Sequence, residues 1–302
     1  MRRKVIQIAE STQLASLPRK WALKYGIKKG DELEIREQAN SLVIQTINEA
    51  DTDRVEINIS SLEDQAKKVI GALYKAGYDE ISVTFSKTEE LRSVQDIIKE
   101  NLVGFEIVQQ GRNQVVVRKI SSTITEEFEP ILRRCFLILQ SIGKDGMDAA
   151  RNRDYEAMNN LVLIDQSINK FTDFCRRILN KSGFTKVRRV APFYYILEEL
   201  EKIGDEYKDI SLVLIRKKHL PTKKTLEVWA ETNHLFDLFY NLFYSFKLEK
   251  IKEIVDHKRT VEERITHLME RQEGTELEIL YKLRSILDRI GSMKGPLMTS
   301  LL

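Results

Sequence analysis

Across residues 123–302 apolar side chains recur at three- and four-residue spacing almost without interruption, and no other feature restricts the fold as strongly. Leu161, Ile164, Ile168, Phe171, Cys175 and Ile178 form one such stripe, and Phe193, Ile196, Leu200, Ile203, Tyr207, Ile210 and Leu214 form another. A stripe of this kind is the face that a helix buries. With only 5 Pro and 13 Gly in 302 residues, few positions would interrupt long helices. The spacing predicts six. The first starts at a Thr123/Glu126 cap or at Pro130 and ends at Gly143 to Gly146. The others cover about 151–180, 190–216, 226–246, 248–270 and 275–301, with breaks at Lys181-Ser182-Gly183, His219-Leu220-Pro221 and Gly274. Phe236, Phe239, Tyr240, Phe243, Tyr244 and Phe246 run most of the way around the fourth, which points to deep burial or a subunit interface.

The helical region also echoes itself. Glu201-Lys202-Ile203-Gly204-Asp205 returns as Asp288-Arg289-Ile290-Gly291-Ser292, and Asp165 returns as Asp256, both after about 90 residues, so a duplicated three-helix unit is the economical account. Two bundles are expected, at about 123–216 and 222–302. Asp165, Glu201, Asp205 and Asp209 are its candidate cation ligands, because carboxylates four apart stand one turn apart on a helix and can bridge neighbouring cations. At 100° per residue the last three fall opposite the apolar seam, where an ordinary solvated acidic stripe would also lie.

Ahead of the helices, residues 53–120 read as β-α-β-α-β-β. Val55 to Ile59 alternates as a strand, Ser60 with Glu63 and Ser86 with Glu89 supply helix caps, and Gly77 closes the first helix. Glu80 to Phe85 is the second strand, and residues 105–110 and 114–119 form a hairpin over Gly111-Arg112-Asn113. This order implies a small sheet with helices on one face, linking or dimerising rather than catalytic. The acidic stretch 48–53 reads as a linker.

Residues 1–30 are strongly basic, with eight Lys or Arg against Glu10 alone, whereas the whole chain carries only +3. Such a head meets a polyanion or presents a solvated face. KVIQI and residues 13–16 read as strands, and Pro18 opens a short helix through Trp21, Ala22 and Tyr25 that ends at Gly26. Two further strands, 32–36 and 42–46, flank a turn at Gln38 to Asn40. So few residues cannot build a sufficient core alone, so a dimer is expected. The longest apolar run, 235–246, contains Asp237 and Asn241 and is too short to cross a bilayer. VIQIAEST is too short and polar for a signal peptide, and Cys135 and Cys175 sit among Ile, Leu and Phe as buried free thiols. A cytoplasmic protein without membrane insertion is expected.

Leu14, Leu17, Pro18, Arg19 and Lys20, followed by Gly26, Ile27, Gly30, Asp31 and Leu33, resemble the swapped-hairpin DNA-binding domain of the AbrB, MazE and SpoVT type over residues 1–47. That resemblance implies an interlocked homodimer contacting double-stranded DNA through Arg2, Arg3, Lys4, Arg19, Lys20 and Lys24. The helical part, 123–302, is similar to the PhoU family of phosphate-uptake regulators, on Asp165 with Asn169 and on Leu200, Glu201, Ile203, Gly204 and Asp205. This implies a divalent or iron-type metal at Asp165, Glu201, Asp205 and Asp209, although Asn169, Thr260 and Ser292 depart from the family's acidic pattern. The expected fold is a multidomain α+β chain: a swapped-hairpin β domain at 1–47, a small α/β domain at 53–120 and an all-α pair of three-helix bundles at 123–302. No phosphate-cradling glycine loop or paired nucleophile and base stands out, so no enzyme is expected. The leading expectation is a dimeric transcriptional regulator of the phosphate response. The alternatives are a signalling adaptor docking on a phosphate transporter or sensor kinase, or a metal-binding helical sensor.

Overall fold

In the computed structural model of this chain, residues 2–8, 12–38, 41–46, 53–62, 65–121, 127–182 and 190–301 are described. Glu10, most of the 48–53 linker, the end of the turn at Asn40, Glu63, the Thr123/Glu126 cap and Gly183 lie outside them. The chain divides into two compact units, Met1–Thr52 and Asp53–Leu302.

In the first unit, β1 (Val5–Ile8) pairs antiparallel with β2 (Thr12–Ala15), Ile6 opposite Leu14. Pro18, extended at φ −62°, leads into the short helix α1 (Arg19–Lys24). Next, β3 (Leu33–Gln38) pairs antiparallel with β4 (Ser41–Thr46), Ile35 opposite Ile44. Within the single chain each hairpin closes on itself.

The second unit opens with β5 (Arg54–Asn58), α2 (Gln65–Ala76), β6 (Glu80–Thr84), α3 (Thr88–Glu100), β7 (Phe105–Gln110) and β8 (Gln114–Lys119). The sheet order is β5-β6-β8-β7. β5 and β6 run parallel because α2 carries the chain back between them, whereas β8 is antiparallel to both of its neighbours. Alternation puts Ile81, Val83, Val115 and Val117 on one buried face with Ile70 and Tyr74 of α2 and Val94 of α3. The cap of α3 differs from the expected one. Glu90, not Glu89, accepts from the backbone N–H groups of Ser86 (2.7 Å), Lys87 (2.9 Å) and Ser61 (3.0 Å).

Six long helices follow: α4 (Phe128–Asn152), α5 (Tyr155–Ser182), α6 (Val190–Lys217), α7 (Lys223–Tyr244), α8 (Glu249–Met269) and α9 (Gly274–Leu301). α4, α5 and α6 pack as one bundle and α7, α8 and α9 as another, and the bundles meet along α6 with α9 and α4 with α7. Leu200, Ile203, Ile210 and Leu214 on α6 and Ile279, Leu283, Ile286 and Ile290 on α9 are buried. Phe136 stands at the centre of an aromatic cluster with Phe236, Phe243 and Tyr244, its ring 5.0 Å from that of Phe243. The fourth helix's aromatics therefore serve the seam between bundles.

One expected boundary is overturned. α4 does not end at Gly143 to Gly146 but runs on to Asn152, closing at Arg153 with φ +57°. Gly143 is a steric opening, since a Cβ there would stand 2.8 Å from Asn233 Oδ1 and 3.0 Å from the Tyr207 ring. The whole is a mixed α+β protein with small sheets and a helical C-terminal region. Among the described residues no helix is long and apolar enough to cross a membrane.

Candidate functional site

Three groups of residues bear on function, one in the first unit and two in the second. In the first unit Arg2, Arg3 and Lys4 lead into β1, Arg19 and Lys20 open α1, and Lys24 closes it; all six are exposed. Lys24 also lies over the Tyr25 ring, 4.8 Å from its centroid. The Gly26 to Asp31 turn is held by the Asp31 carboxylate, which accepts from Lys28 N–H at 2.7 Å. None of the described residues of this unit is buried, and Val5, Ile6, Ile35 and Leu42 are each at least 60% exposed. Apolar strands left this open to water are incomplete as a core.

The acidic motif lies where α5 and α6 pack. Asp165 on α5 is buried, 2% exposed. Its Oδ2 accepts from Lys208 Nζ at 2.7 Å, and the same ammonium pairs with Asp205, one turn back on α6. Glu201 pairs with Arg176 at 2.5 Å and accepts from the Thr172 hydroxyl at 3.2 Å. Asp209 pairs with Lys282 of α9 at 2.6 Å. Burial pushes the Asp165 carboxyl up despite Lys208, whereas its carboxylate partners hold Lys208 at about 12 against the lowering effect of burial.

These contacts decide how the motif fits a metal. Each of the four expected ligands faces a nitrogen cation of the protein, and they face three different ones. Among the described residues no group of three or more His, Cys, Asp or Glu is arranged to hold a metal ion. The donor set therefore does not fit the divalent or iron-type cation that the resemblance implies.

The third group was not foreseen. On α5 every residue from Thr172 to Leu179 is buried, Arg176 and Arg177 included, each 1% exposed. Arg177 donates to the carbonyls of Tyr74 and Tyr78, both at 2.8 Å, and to Asp79 at 2.6 Å, with its guanidinium over the rings of Tyr74 and Phe105. Asn180 donates to Lys75 O at 2.7 Å, and Lys181 to Gly77 O at 3.2 Å. A helix leaves its last carbonyls without internal partners, and here side chains of α5 serve the end of α2. Gly77, at φ +106°, turns the chain sharply enough for this approach. Arg176 faces the other way, toward Asp173 (2.8 Å), Glu198 (2.9 Å) and Glu201. The signal in the sequence is an Arg-Arg pair set between Cys175 and Ile178 on an apolar stripe.

No family model matches the chain, and no curated protein matches it. Among solved structures it is similar to the phosphate transport system regulatory protein PhoU from Streptococcus pneumoniae, at 17% identity over 58% of this chain and 93% of that one, with a TM-score of 0.47. The likenesses drawn from the sequence therefore stand on the residues that carry them.

Glu231 and His234 belong to α7, and His257 of α8 meets them, its ring 5.1 Å from that of His234 and its Nε2 3.0 Å from Glu231 O. His257 is thus partly buried, and His267 is exposed. Among the described residues no hydrogen bond joins a Ser, Thr or Cys side chain to a histidine. Cys135 and Cys175 are buried free thiols, with burial pushing the Cys135 thiol up to about 12.

Proposed function

We propose that this chain is a non-enzymatic adaptor of the phosphate response, docking through its paired bundles on a phosphate transporter or sensor kinase. One observation carries this reading: α5 joins the α/β layer to the acidic motif through adjacent residues, Arg177 on the end of α2 and Arg176 on Glu201. These adjacent contacts give the two layers a contiguous connection, which a relay requires. The link to phosphate comes from the resemblance of the LEKIGD motif at 200–205 to the PhoU family. Binding of the full chain to purified transporter ATPase subunit and to sensor kinase tests it. One of the two is expected to bind, more weakly with Arg177→Ala; no binding to either would remove the reading.

A second reading rests on the first unit, whose six exposed basic residues accompany apolar strands that lack cover. In this reading two copies interlock and bind double-stranded DNA through Arg2, Arg3, Lys4, Arg19, Lys20 and Lys24. Affinity would then fall by about 0.9 log units per phosphate contact for each tenfold rise in salt. Anisotropy titrations of the full chain on duplex DNA check this. No binding at low salt, or unchanged binding in the quadruple Ala variant of Arg2, Arg3, Arg19 and Lys20, rules it out.

A further inference from the structure

The two bundles carry a lysine in corresponding surroundings. In the first, Lys208 of α6 reaches across to Asp165 of α5 at 2.7 Å while pairing with Asp205. Gly204 makes room for this, because a Cβ there would stand 3.0 Å from Asp165 Oδ1 and 3.4 Å from Leu139. In the second, Lys258 of α8 reaches Asp288 of α9 at 2.8 Å and Glu262 on its own helix at 2.9 Å. Gly291 makes room there, because a Cβ would stand 2.7 Å from Lys258 Cε and 3.0 Å from its Cδ. Gly204 and Gly291 occupy the same place in the two echoed motifs, EKIGD and DRIGS.

The lysines come from different helices of their bundles, the third in one and the second in the other, yet each ammonium bridges the same pair of helices beside the same glycine. Different positions thus give one electrostatic result. Carboxylates crowded at a helix contact need positive charge nearby, and an ammonium with three donors supplies it as a point charge. A metal at this place would have to displace a paired ammonium as well as shed its own water.

We infer that Lys208 and Lys258 are internal cations that close the acidic contact of each bundle, so that the helical region is held together at these points by lysine and takes up no metal there. The inference is independent of which partner the protein serves. It assigns Lys208 and Lys258 as positioning residues for α5 against α6 and for α8 against α9.

The full chain, purified without a metal-affinity tag, provides the test, through elemental analysis and thermal unfolding with EDTA or with added Mn²⁺, Zn²⁺ or Fe²⁺. Expected results are metal far below one ion per chain and a midpoint that neither chelator nor metal moves. Lys208→Gln is expected to lower the midpoint by several degrees, and Asp165→Asn with Lys208→Gln to lower it by less than the sum of the two single changes. If Lys208→Gln does not fold, Lys258→Gln with Asp288→Asn repeats the cycle in the other bundle. Stoichiometric bound metal, a saturable metal-induced rise that Asp165→Asn abolishes, or additive losses in the cycle would overturn the inference.

Discussion

Arg177 has exchanged water for two carbonyls, one carboxylate and two aromatic faces. Removing one partner from such a buried pair leaves the other uncompensated, so Arg177→Met is expected to destabilise the second unit by about 3–5 kcal/mol, read from chemical denaturation. Asp79 keeps Lys181 as a partner, which places the loss nearer the lower figure. Glu90 provides a pH dependence. Three backbone N–H groups, from Ser86, Lys87 and Ser61, hold its carboxyl down at about 2 from an ordinary 4.5. A folded pKa below the unfolded one contributes stability above pH 4.5, and that contribution drains away as pH falls toward 2. Glu90→Gln is expected to flatten the midpoint-versus-pH curve across this window, and an unchanged slope would show that the cap contributes nothing. The same residue shows a limit of sequence reading: Ser86 with Glu89 fits the capping pattern, but α3 starts one residue later, after Lys87, which makes Glu90 the acceptor.

At the level of elements, the helices of the second unit were legible where burial follows one stripe, as in α6 and α9. Where an element is covered on two sides the helix was still legible, but the second contact was not. α5 shows why: it packs against α4 and α6 and also against α2, and the hydrogen bonds of the α2 contact come from Arg177, Asn180 and Lys181. Periodicity reports only the oily contact. Glycine misled for a related reason, since Gly143 to Gly146 read as a helix end but lie inside α4, where Gly143 permits close approach. Gly143→Ala is expected to cost about 1–3 kcal/mol by pressing on Asn233 and Tyr207, with α4 still helical by circular dichroism. Loss of helix content instead would mean that the glycines terminate α4. Likewise the candidate ligands Asp165, Glu201, Asp205 and Asp209 were readable as a group, but Lys208, Arg176 and Lys282, which answer them, were not. Their spacing on other helices gives no local signal.

Across the whole molecule, the two units differ in how much of themselves they bury. The second has a continuous core, whereas the first shows Val5, Ile6, Ile35 and Leu42 to solvent. Sedimentation of the full chain is expected to give a dimer that Leu14→Asp with Ile35→Asp converts to monomer without lowering the unfolding midpoint of the second unit. A monomeric parent protein, or a dimer untouched by these changes, would place self-association elsewhere.

The capping of α2 by α5 also bears on how such a chain can be cut and recombined. A fragment ending at residue 121 would retain the whole sheet yet strip Tyr74, Lys75, Gly77 and Tyr78 of the donors that serve their carbonyls. The α/β layer is therefore not a portable cassette. It travels with α5 or loses the end of its own helix, and a graft onto another scaffold would have to bring Arg177, Asn180 and Lys181 along.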